Sequence, residues 1–310
     1  MPFFDSSTES EAIGTTLTEW MLERFRADGL AADDFALTLL PFSGPLRPDT
    51  AAERPEGFAY RGEAPFYPCS VVKAFYLAAA HARLEEGALA EHAELDRAMR
   101  DMIRWSSNTA TNYVIDLVTG TTGDTLLDEA QMRDWAERRQ WVNRYFRGLG
   151  WPEAEAINLC QKLMDDDRYG REKTFVRLGG NNHNRLSTDA AARLFYAIFA
   201  GRMVTPLRSR AMAALFARPL EDPDFVAHQM AQVKAYLGAG LPRGAKLWSK
   251  AGWTTWTGDA DASYRRHDAA YIELPNGRAC ILVVFIQGRI VSGLETVLPA
   301  VAGRTVALLG

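Results

Sequence analysis

Two residue types that could form a nucleophile and its base lie one helical turn apart in Tyr67–Gly87. This stretch reads YPCSVVKAFYLAAAHARLEEG and predicts a mostly apolar helix that begins at Ser70 and carries Lys73 three positions later. Residues three apart share a helix face, so the hydroxyl and the amine can touch. A lysine whose pKa is lowered by burial can take the proton of a serine. An N-cap serine followed by a lysine that extends to water is the alternative interpretation.

Two further motifs carry side chains suited to holding a substrate. Ser106 and Asn108 lie in RWSSNTATNYV, at a predicted turn before a helix, where a helix-capping cluster is the alternative. Lys250 and Gly252 lie in LWSKAGWTTW on a predicted strand, where an ordinary surface lysine is the alternative. A glycine in a strand permits the close approach of another backbone or of a ligand. Each motif alone has a purely structural explanation.

The elements that must position these residues are strands at both ends of the chain and helices between them. An amphipathic helix is predicted over residues 8–28 and another at the C-terminus, residues 292–309. Most of residues 70–218 has a helical pattern, including one long helix at 126–151 with a solvated Trp- and Arg-rich face, and a further helix is predicted at 224–237. The predicted strands are 34–42, 57–67, 246–253, 267–277 and 278–288.

We therefore predict an α/β fold of the α+β type, in which an antiparallel sheet is flanked by the terminal helices and an all-helical lobe is inserted. Residues 1–69 together with 219–310 would form a discontinuous sheet domain, and residues 70–218 a helical domain. The active site would lie at the interface of the two domains.

Composition argues against several classes of protein. The net charge of −4 disfavours a nucleic-acid binder, and no apolar run reaches the length of about 20 residues that spans a bilayer. Cys69, Cys160 and Cys280 are widely separated in the sequence and show neither a zinc-ligand spacing nor a disulfide framework, which leaves at most one disulfide pair open. The histidines show no metal-ligand spacing. We predict buried thiols, no metal or cofactor, no nucleic-acid or membrane partner, and a monomer or weak oligomer. No secretory signal is visible, which predicts a cytoplasmic protein, or a periplasmic or secreted one if a leader was removed.

The order of the three motifs, S-x-x-K then S-x-N then K-x-G on helix, turn and strand, resembles the signature of the penicillin-recognising serine hydrolases. The chain is most similar to the class A β-lactamase-like members. The resemblance covers most of the chain from about residue 12 and includes the last hairpin and the terminal helix. It implies a β-lactamase/transpeptidase-like fold.

The resemblance also implies catalytic roles. Ser70 would attack the carbonyl of an amide or ester, Lys73 would take its proton, and Ser106 would relay a proton to the leaving nitrogen. The backbone N–H groups of Ser70 and Trp253 would form the oxyanion hole, which is worth several kcal/mol of barrier in such enzymes. Gly252 would lie beside them on the substrate-binding strand.

Substrate binding, by the same resemblance, would rest on two side chains. Asn108 would hold the acyl side chain and help to position Lys73, and Lys250 would attract a substrate carboxylate. The middle residue of the last motif is Ala251, so a hydroxyl that usually contacts this carboxylate is missing. Thr254 or Thr255 is a candidate substitute.

The acid that activates the deacylating water is where the sequence departs most from the resemblance. Class A members carry a loop glutamate followed by an asparagine, and residues 160–188 contain no E-x-x-L-N. Glu172 lies near the expected distance before the helix at 187, but Val176 stands where the asparagine would be. The sequence KLMD resembles a subset without the usual glutamate, which favours Asp165. The run of three aspartates can also be a solvated turn.

Three functions remain open from the sequence. The first is a serine hydrolase with β-lactamase-type amide hydrolysis through an acyl-enzyme on Ser70. The second is an esterase or D,D-peptidase-like hydrolase with poor β-lactam turnover, which Ala251 and the missing loop glutamate favour. The third is a ligand-binding or acylated sensor module. All three predict a small-molecule partner: a β-lactam, an ester or a peptide-like amide.

Overall fold

The computed structural model describes residues 2–163 and 168–310, and within them a six-stranded antiparallel sheet organises the protein. The strands are β1 (Phe35–Phe42), β2 (Phe58–Tyr60), β3 (Ala217–Arg218), β4 (Lys246–Thr254), β5 (Arg265–Glu273) and β6 (Ala279–Gln287). Their order across the sheet is β2-β1-β6-β5-β4-β3. The predicted antiparallel sheet built from both ends of the chain is therefore confirmed.

Helices cover both faces of this sheet. In the described part of the chain the α-helices are α1 (Thr8–Arg24), α2 (Lys73–Glu85), α3 (Ala93–Arg104), α4 (Asn108–Thr119), α5 (Glu129–Arg139), α6 (Trp141–Gly148), α7 (Gly170–Arg177), α8 (Thr188–Phe199), α9 (Pro206–Phe216), α10 (Pro223–Ala227) and α11 (Val297–Leu309). None of them is long and apolar enough to cross a membrane.

Two hydrophobic cores lie on opposite faces of the sheet, because successive side chains of a strand point to opposite sides. Leu37 and Leu39 of β1 pack with the terminal helices α1 and α11. Ala36 and Leu40 of the same strand pack with residues of α2 and α8. Strand β6 is buried on both faces, which explains its continuous apolar sequence ACILVVFI.

The sheet joins distant parts of the sequence. β1 pairs with β6 from Phe35 opposite Ile286 to Phe42 opposite Ala279. β5 and β6 form the predicted hairpin, whose turn places Gly277 at a φ of +87°, a conformation that glycine adopts readily.

The predicted helix over 126–151 is wrong in its continuity, and its solvated face is confirmed for Arg133, Arg138 and Arg144 but not for Arg139. The chain ends α5 and begins α6 at Gln140. Trp135 and Arg139 of α5 are 1% and 0% exposed, respectively. The reason is the partner of Arg139, a buried carboxylate described below, which draws the basic side chain into the protein.

Two shorter predictions also need correction. The strand predicted over 57–67 is limited to Phe58–Tyr60, because Arg61 has a left-handed φ of +52° that ends the extended chain. The helix predicted over 224–237 ends at Ala227, and after a 3-10 turn Gln232 adopts a φ of +54°. The three cysteines are free and buried, as predicted.

Candidate active site

Ser70 lies in a 3-10 turn, Cys69–Val72, that runs directly into α2. The backbone N–H of Lys73 donates to the carbonyl oxygen of Ser70, which places the two residues one turn apart. Ser70 is partly exposed, whereas Lys73 is completely buried. Cys69 enters the turn with a φ of +50°, and such a conformation costs a non-glycine residue about 1–3 kcal/mol. The chain therefore holds local strain directly before the candidate nucleophile.

Ser106 and Asn108 lie at the junction of α3 and α4 and contact the Lys73 amine. Lys73 Nζ donates to the Ser106 carbonyl oxygen at 2.5 Å, to Asn108 Oδ1 at 2.7 Å and to Ser106 Oγ at 3.3 Å. The Ser107 side chain caps α4, and Ser106 has a left-handed φ of +53°. The predicted helix cap is present, but Ser107 forms it. The side chains of Ser106 and Asn108 accept hydrogen bonds from Lys73.

Lys250 reaches the same hydroxyl from strand β4. Its Nζ donates to Ser106 Oγ at 3.0 Å, to Gln232 Oε1 at 2.6 Å and to the Ala251 carbonyl oxygen at 2.7 Å. Lys250 is completely buried, so the alternative of a surface lysine on an edge strand is wrong.

The Ser106 hydroxyl thus lies between two amines. A hydroxyl has two acceptor lone pairs and one proton. When both lysines donate to its oxygen, the proton of Ser106 remains for a third group. This arrangement suits a hydroxyl that hands a proton to a bound molecule and regains one from an adjacent ammonium.

Positive charge is concentrated here. Burial, followed by the nearby Lys73 and Arg218, holds the pKa of Lys250 well below its ordinary value. Arg218 donates to the carbonyl oxygens of Ile103, Arg104 and Ser249, and burial lowers its pKa to about 10. Buried like charges are costly, and sites of this kind are often functional.

Gly252 lies against the backbone of Ser70. A Cβ atom added at Gly252 would lie 2.6 Å from the Ser70 nitrogen and 2.8 Å from the Cys69 Cβ. Only a glycine allows this approach, which confirms the expectation of a close backbone contact. Trp253 follows on the strand and is 40% exposed.

Thr254 has another partner in this structure. Its hydroxyl donates to the Ala262 carbonyl oxygen at 2.8 Å and lies 3.7 Å from the sulfur of Cys69. Burial raises the pKa of Cys69 to about 12, so this thiol stays protonated. Thr254 is a candidate to replace the hydroxyl missing at Ala251, but the side chain that hydrogen-bonds Lys250 from outside the three motifs is that of Gln232. Its sequence context suggested a helix, and no motif pointed to it.

The chain matches the family model described as "Beta-lactamase enzyme family" over residues 91–297, which is well over half of its length. It belongs to the beta-lactamase enzyme family. No match was found among curated protein sequences.

Three solved structures share this fold at low sequence identity. A β-lactamase from Xanthomonas campestris pv. campestris is 19% identical, with a TM-score of 0.61 and coverage of 96% of this chain and 99% of its own. The reconstructed class A β-lactamase of the last common ancestor of Gram-negative bacteria is 18% identical, with a TM-score of 0.60 and coverage of 94% and 98%. A PBP-A mutant, solved as an acyl-enzyme complex with penicillin G, is 16% identical, with a TM-score of 0.60 and coverage of 94% of both chains.

Glu172, a candidate for the loop acid in this β-lactamase family member, lies in a buried ion network. Its carboxylate accepts from Arg139 at 2.7 and 3.2 Å and lies 3.9 Å from Lys162 Nζ. Arg139 also lies 3.5 Å from Asp116, which accepts from Lys162 at 2.7 Å. Glu172 is 1% exposed. The other candidate, Asp165, lies outside the described residues.

Among the described residues, one group has the geometry to hold a cation. Ligand atoms of His183, Asp259 and Asp261 all lie within 4.8 Å of one another. These side chains are occupied by protein partners, since His183 Nε2 lies 2.8 Å from Asp259 and Asn181 donates to Asp261 at 2.6 Å. The group therefore connects residues 181–183 to the β4–β5 connection.

Proposed function

We propose that this family member is a serine hydrolase that works through an acyl-enzyme on Ser70, with β-lactam amides as its substrates. The observation that supports this most is the Ser106 hydroxyl, which lies 3.3 Å from Lys73 Nζ and 3.0 Å from Lys250 Nζ. In this proposal the domains divide as the sequence predicts, and the lysines come from opposite sides of their interface.

Acylation begins when Ser70 Oγ attacks the carbonyl carbon of the ring amide and Lys73 Nζ takes the hydroxyl proton. The carbon–nitrogen bond then breaks, and the leaving nitrogen takes the proton of Ser106. Ser106 regains a proton from the Lys73 ammonium, so the protons balance at the end of the step. Asn108 keeps Lys73 in place through the bond of 2.7 Å between its Oδ1 and Nζ.

Charge on the carbonyl oxygen is stabilised by the N–H groups of Ser70 and Trp253. The contact of Gly252 with the Ser70 nitrogen supports this role, because it brings β4 against the residue that supplies the first donor. One donor of this kind is worth about 10²–10³ in rate.

Deacylation requires a base that activates water. The Arg139 ion pair favours a structural role for the Glu172 carboxylate, so Asp165 is the proposed base. Hydrolysis then transfers the acyl group from Ser70 Oγ to the water oxygen and returns a proton to Ser70.

A time course with penicillin G followed by intact-mass spectrometry tests the proposal. We expect a mass increase of one penicillin molecule that needs Ser70 and disappears in Ser70→Ala. Decay of the adduct with release of the opened product supports a β-lactamase. A protein that hydrolyses no penicillin and forms no adduct contradicts the proposal.

An esterase or D,D-peptidase-like hydrolase is the second candidate. Ala251 and the ion-paired Glu172 favour it, because they remove one carboxylate contact and one possible base. Faster Ser70-dependent turnover of a short-chain p-nitrophenyl ester than of any β-lactam, with a long-lived penicillin adduct, would select this candidate. A lasting adduct without turnover of either substrate would indicate an acylated sensor.

A further inference from the structure

A cavity of about 350 Å³ lies where the residues before α1, the β1–β2 connection and α8 meet. None of the motif residues is among the described residues that line it. Its volume falls within the range of about 300–1,000 Å³ that is usual for small-molecule sites. The cavity is therefore separate from the proposed active site, and its chemistry can be considered on its own.

Aromatic rings form the apolar part of the cavity wall. Phe3 and Tyr196 are 7% and 4% exposed, and their ring centroids lie 6.1 Å apart. Trp151 lines the cavity as well and is partly exposed. An accessible aromatic face can stack on a planar ligand, and such stacking accepts different ring systems. The wall therefore favours a flat aromatic group over a branched aliphatic one.

Arg193 is held beside two of these rings. Its guanidinium carbon lies 4.9 Å from the ring centroid of Trp151 and 5.6 Å from that of Phe3. Arg193 Nη1 donates to the buried carboxylate of Glu153 at 2.7 Å, but Glu153 does not line the cavity. A guanidinium has five N–H donors, so the ion pair leaves donors for a ligand.

Arg202 lines the cavity just beyond the end of α8, and no described carboxylate pairs with it. Its Nη1 and Nη2 donate to the carbonyl oxygens of Ala52 and Ala51, both at 2.6 Å. The Tyr196 hydroxyl donates to the same Ala52 oxygen at 2.5 Å. These bonds anchor the β1–β2 connection on α8, so this part of the wall is formed before a ligand binds.

Arg54 adds a third guanidinium from the β1–β2 connection. It donates to Asp5 Oδ1 at 2.8 and 2.9 Å and to two backbone carbonyl oxygens of residues 2–4. Asp5 does not line the cavity either, so the described lining residues comprise three arginines and one acid, Glu53. This excess of positive charge attracts an anion, and the guanidinium fork matches the geometry of a phosphate or a carboxylate.

We propose that this cavity is a binding site for an aromatic anion, a planar ring that carries a phosphate or a carboxylate. Trp151 contacts the ring, and Arg202 binds the anionic group. A nucleoside monophosphate and an indole carboxylate share this chemistry. The inference does not depend on the proposed function, because the cavity and the three motifs have no residue in common.

Titration calorimetry with four probes tests the site. Adenosine 5′-monophosphate carries both a ring and a phosphate, adenosine lacks the phosphate, and inorganic phosphate lacks the ring. Indole-3-acetate carries a carboxylate instead, so it distinguishes the two sources of charge. The variants are Arg202→Gln, Arg202→Lys and Trp151→Leu. Arg210→Gln is the matched control, because Arg210 is exposed on α9 and does not line the cavity.

We expect one or both of the ring-bearing anions to bind at least about tenfold more tightly than adenosine and inorganic phosphate. Arg202→Gln should weaken this binding about tenfold to a hundredfold, as expected for a lost hydrogen bond between charged groups, and should leave adenosine within about threefold. Arg202→Lys keeps the charge without the fork and should lose less. Trp151→Leu should weaken the ring-bearing anion about fivefold or more, because stacking is lost. The control should match the wild type.

The site is overturned if neither ring-bearing anion binds at millimolar concentration. Binding that is unchanged in both Arg202→Gln and Trp151→Leu would overturn it as well, because the anion would then bind elsewhere. A thermal melt of each variant without probe shows whether it is folded. If Trp151→Leu does not fold, the Arg202 variants decide, since this side chain is exposed. Acylation by penicillin plays no part in these outcomes, so a failure here leaves the proposed function untouched.

Discussion

Lys250 and Arg139 are both completely buried cations, but their surroundings differ in charge. The described hydrogen bonds of Lys250 go to neutral oxygens of Ser106, Gln232 and Ala251. Arg139 instead pairs with the carboxylate of Glu172 at 2.7 Å and lies 3.5 Å from that of Asp116. The hydrogen-bond partners of Lys250 are dipoles, while Lys73, Arg218 and Asp268 act on it through their charge; Arg139 is neutralised by direct ion pairs.

The difference separates a site that can receive a ligand from a site that holds the fold together. A balanced ion network has already satisfied its charges, and breaking it leaves a buried charge without compensation. A buried lysine among dipoles keeps an unused attraction for an anion. Burying the charged amine without an anion destabilises the folded protein, and the lowered pKa of Lys250 reflects this destabilisation.

The largest expected effect is on stability, in Glu172→Gln. The change leaves Arg139 with a weakened partner, and breaking a buried pair costs about 3–5 kcal/mol of unfolding free energy. Denaturant unfolding followed by fluorescence measures it. Hydrolysis per folded molecule should be unchanged, because the Glu172 carboxylate is engaged with Arg139.

The control for this variant is Glu129→Gln, which removes an exposed helical ion pair with Arg133 at 2.5 Å. A surface pair of this kind contributes about 0.3–0.5 kcal/mol. If Glu172→Gln accumulates acyl-enzyme and keeps its stability, Glu172 is the deacylating base and the structural assignment is wrong.

Lys250→Met should have the opposite effects: the acylation rate falls, and the unfolding free energy is retained. We expect acylation by penicillin G to fall by about 10²–10³, the usual loss for one preorganised electrostatic contact. Unfolding free energy should stay equal or rise, because a desolvated charge is replaced by an apolar side chain. Lys246→Met on the same strand is the control, since Lys246 is 69% exposed. A large loss of stability in Lys250→Met would remove the contrast with Arg139.

Gly252→Ala should impair acylation through the backbone alone. The new Cβ atom would lie 2.6 Å from the Ser70 nitrogen, so the first oxyanion donor must move. A loss of about 10² in the acylation rate is expected from a displaced donor. Gly293→Ala is the control, since a Cβ there has no heavy atom within 4 Å. Wild-type acylation in Gly252→Ala would show that the close approach has no catalytic role.

The smallest expected effect is a gradual change of unfolding free energy with pH. The pKa of Lys250 is lowered in the folded protein, so the folded state binds fewer protons than the unfolded state between the lowered value and the ordinary lysine value. Unfolding free energy attributable to Lys250 must therefore rise with pH, by at most about 1.4 kcal/mol per pH unit. The difference between wild type and Lys250→Met, measured from pH 7 to pH 10, should move in favour of the wild type. A constant difference would contradict the lowered pKa.

The sequence was sufficient for the fold and for the residues that meet at Ser106. Each of these residues lies in a short motif whose local element could be read from hydrophobic periodicity, as for Lys73 on its apolar helix. The contact between Lys73 and Asn108 joins residues 35 positions apart, and only the resemblance of the three motifs to a known family indicated it.

The missed features depend on distant partners. Gln232 lies in a segment with helical periodicity, and its left-handed backbone is coupled to Lys250, which no local pattern contains. Arg139 looked like part of a solvated basic face, but Glu172 binds it from α7. Tertiary contacts of this kind outweigh local propensity, which is worth less than about 1 kcal/mol per residue.

The pairing of β1 with β6 has a consequence for synthesis of the protein. Phe35 of β1 cannot pair with Ile286 of β6 until residue 286 has been synthesised. Likewise, Ser106 cannot bind Lys250 until that residue, 144 positions later, has been synthesised. During translation the helical lobe emerges while β1 still has an open edge, and such edges favour aggregation. The ribosome must therefore release nearly the whole described chain before the site can form, so a truncated product would carry the nucleophile without its chemistry.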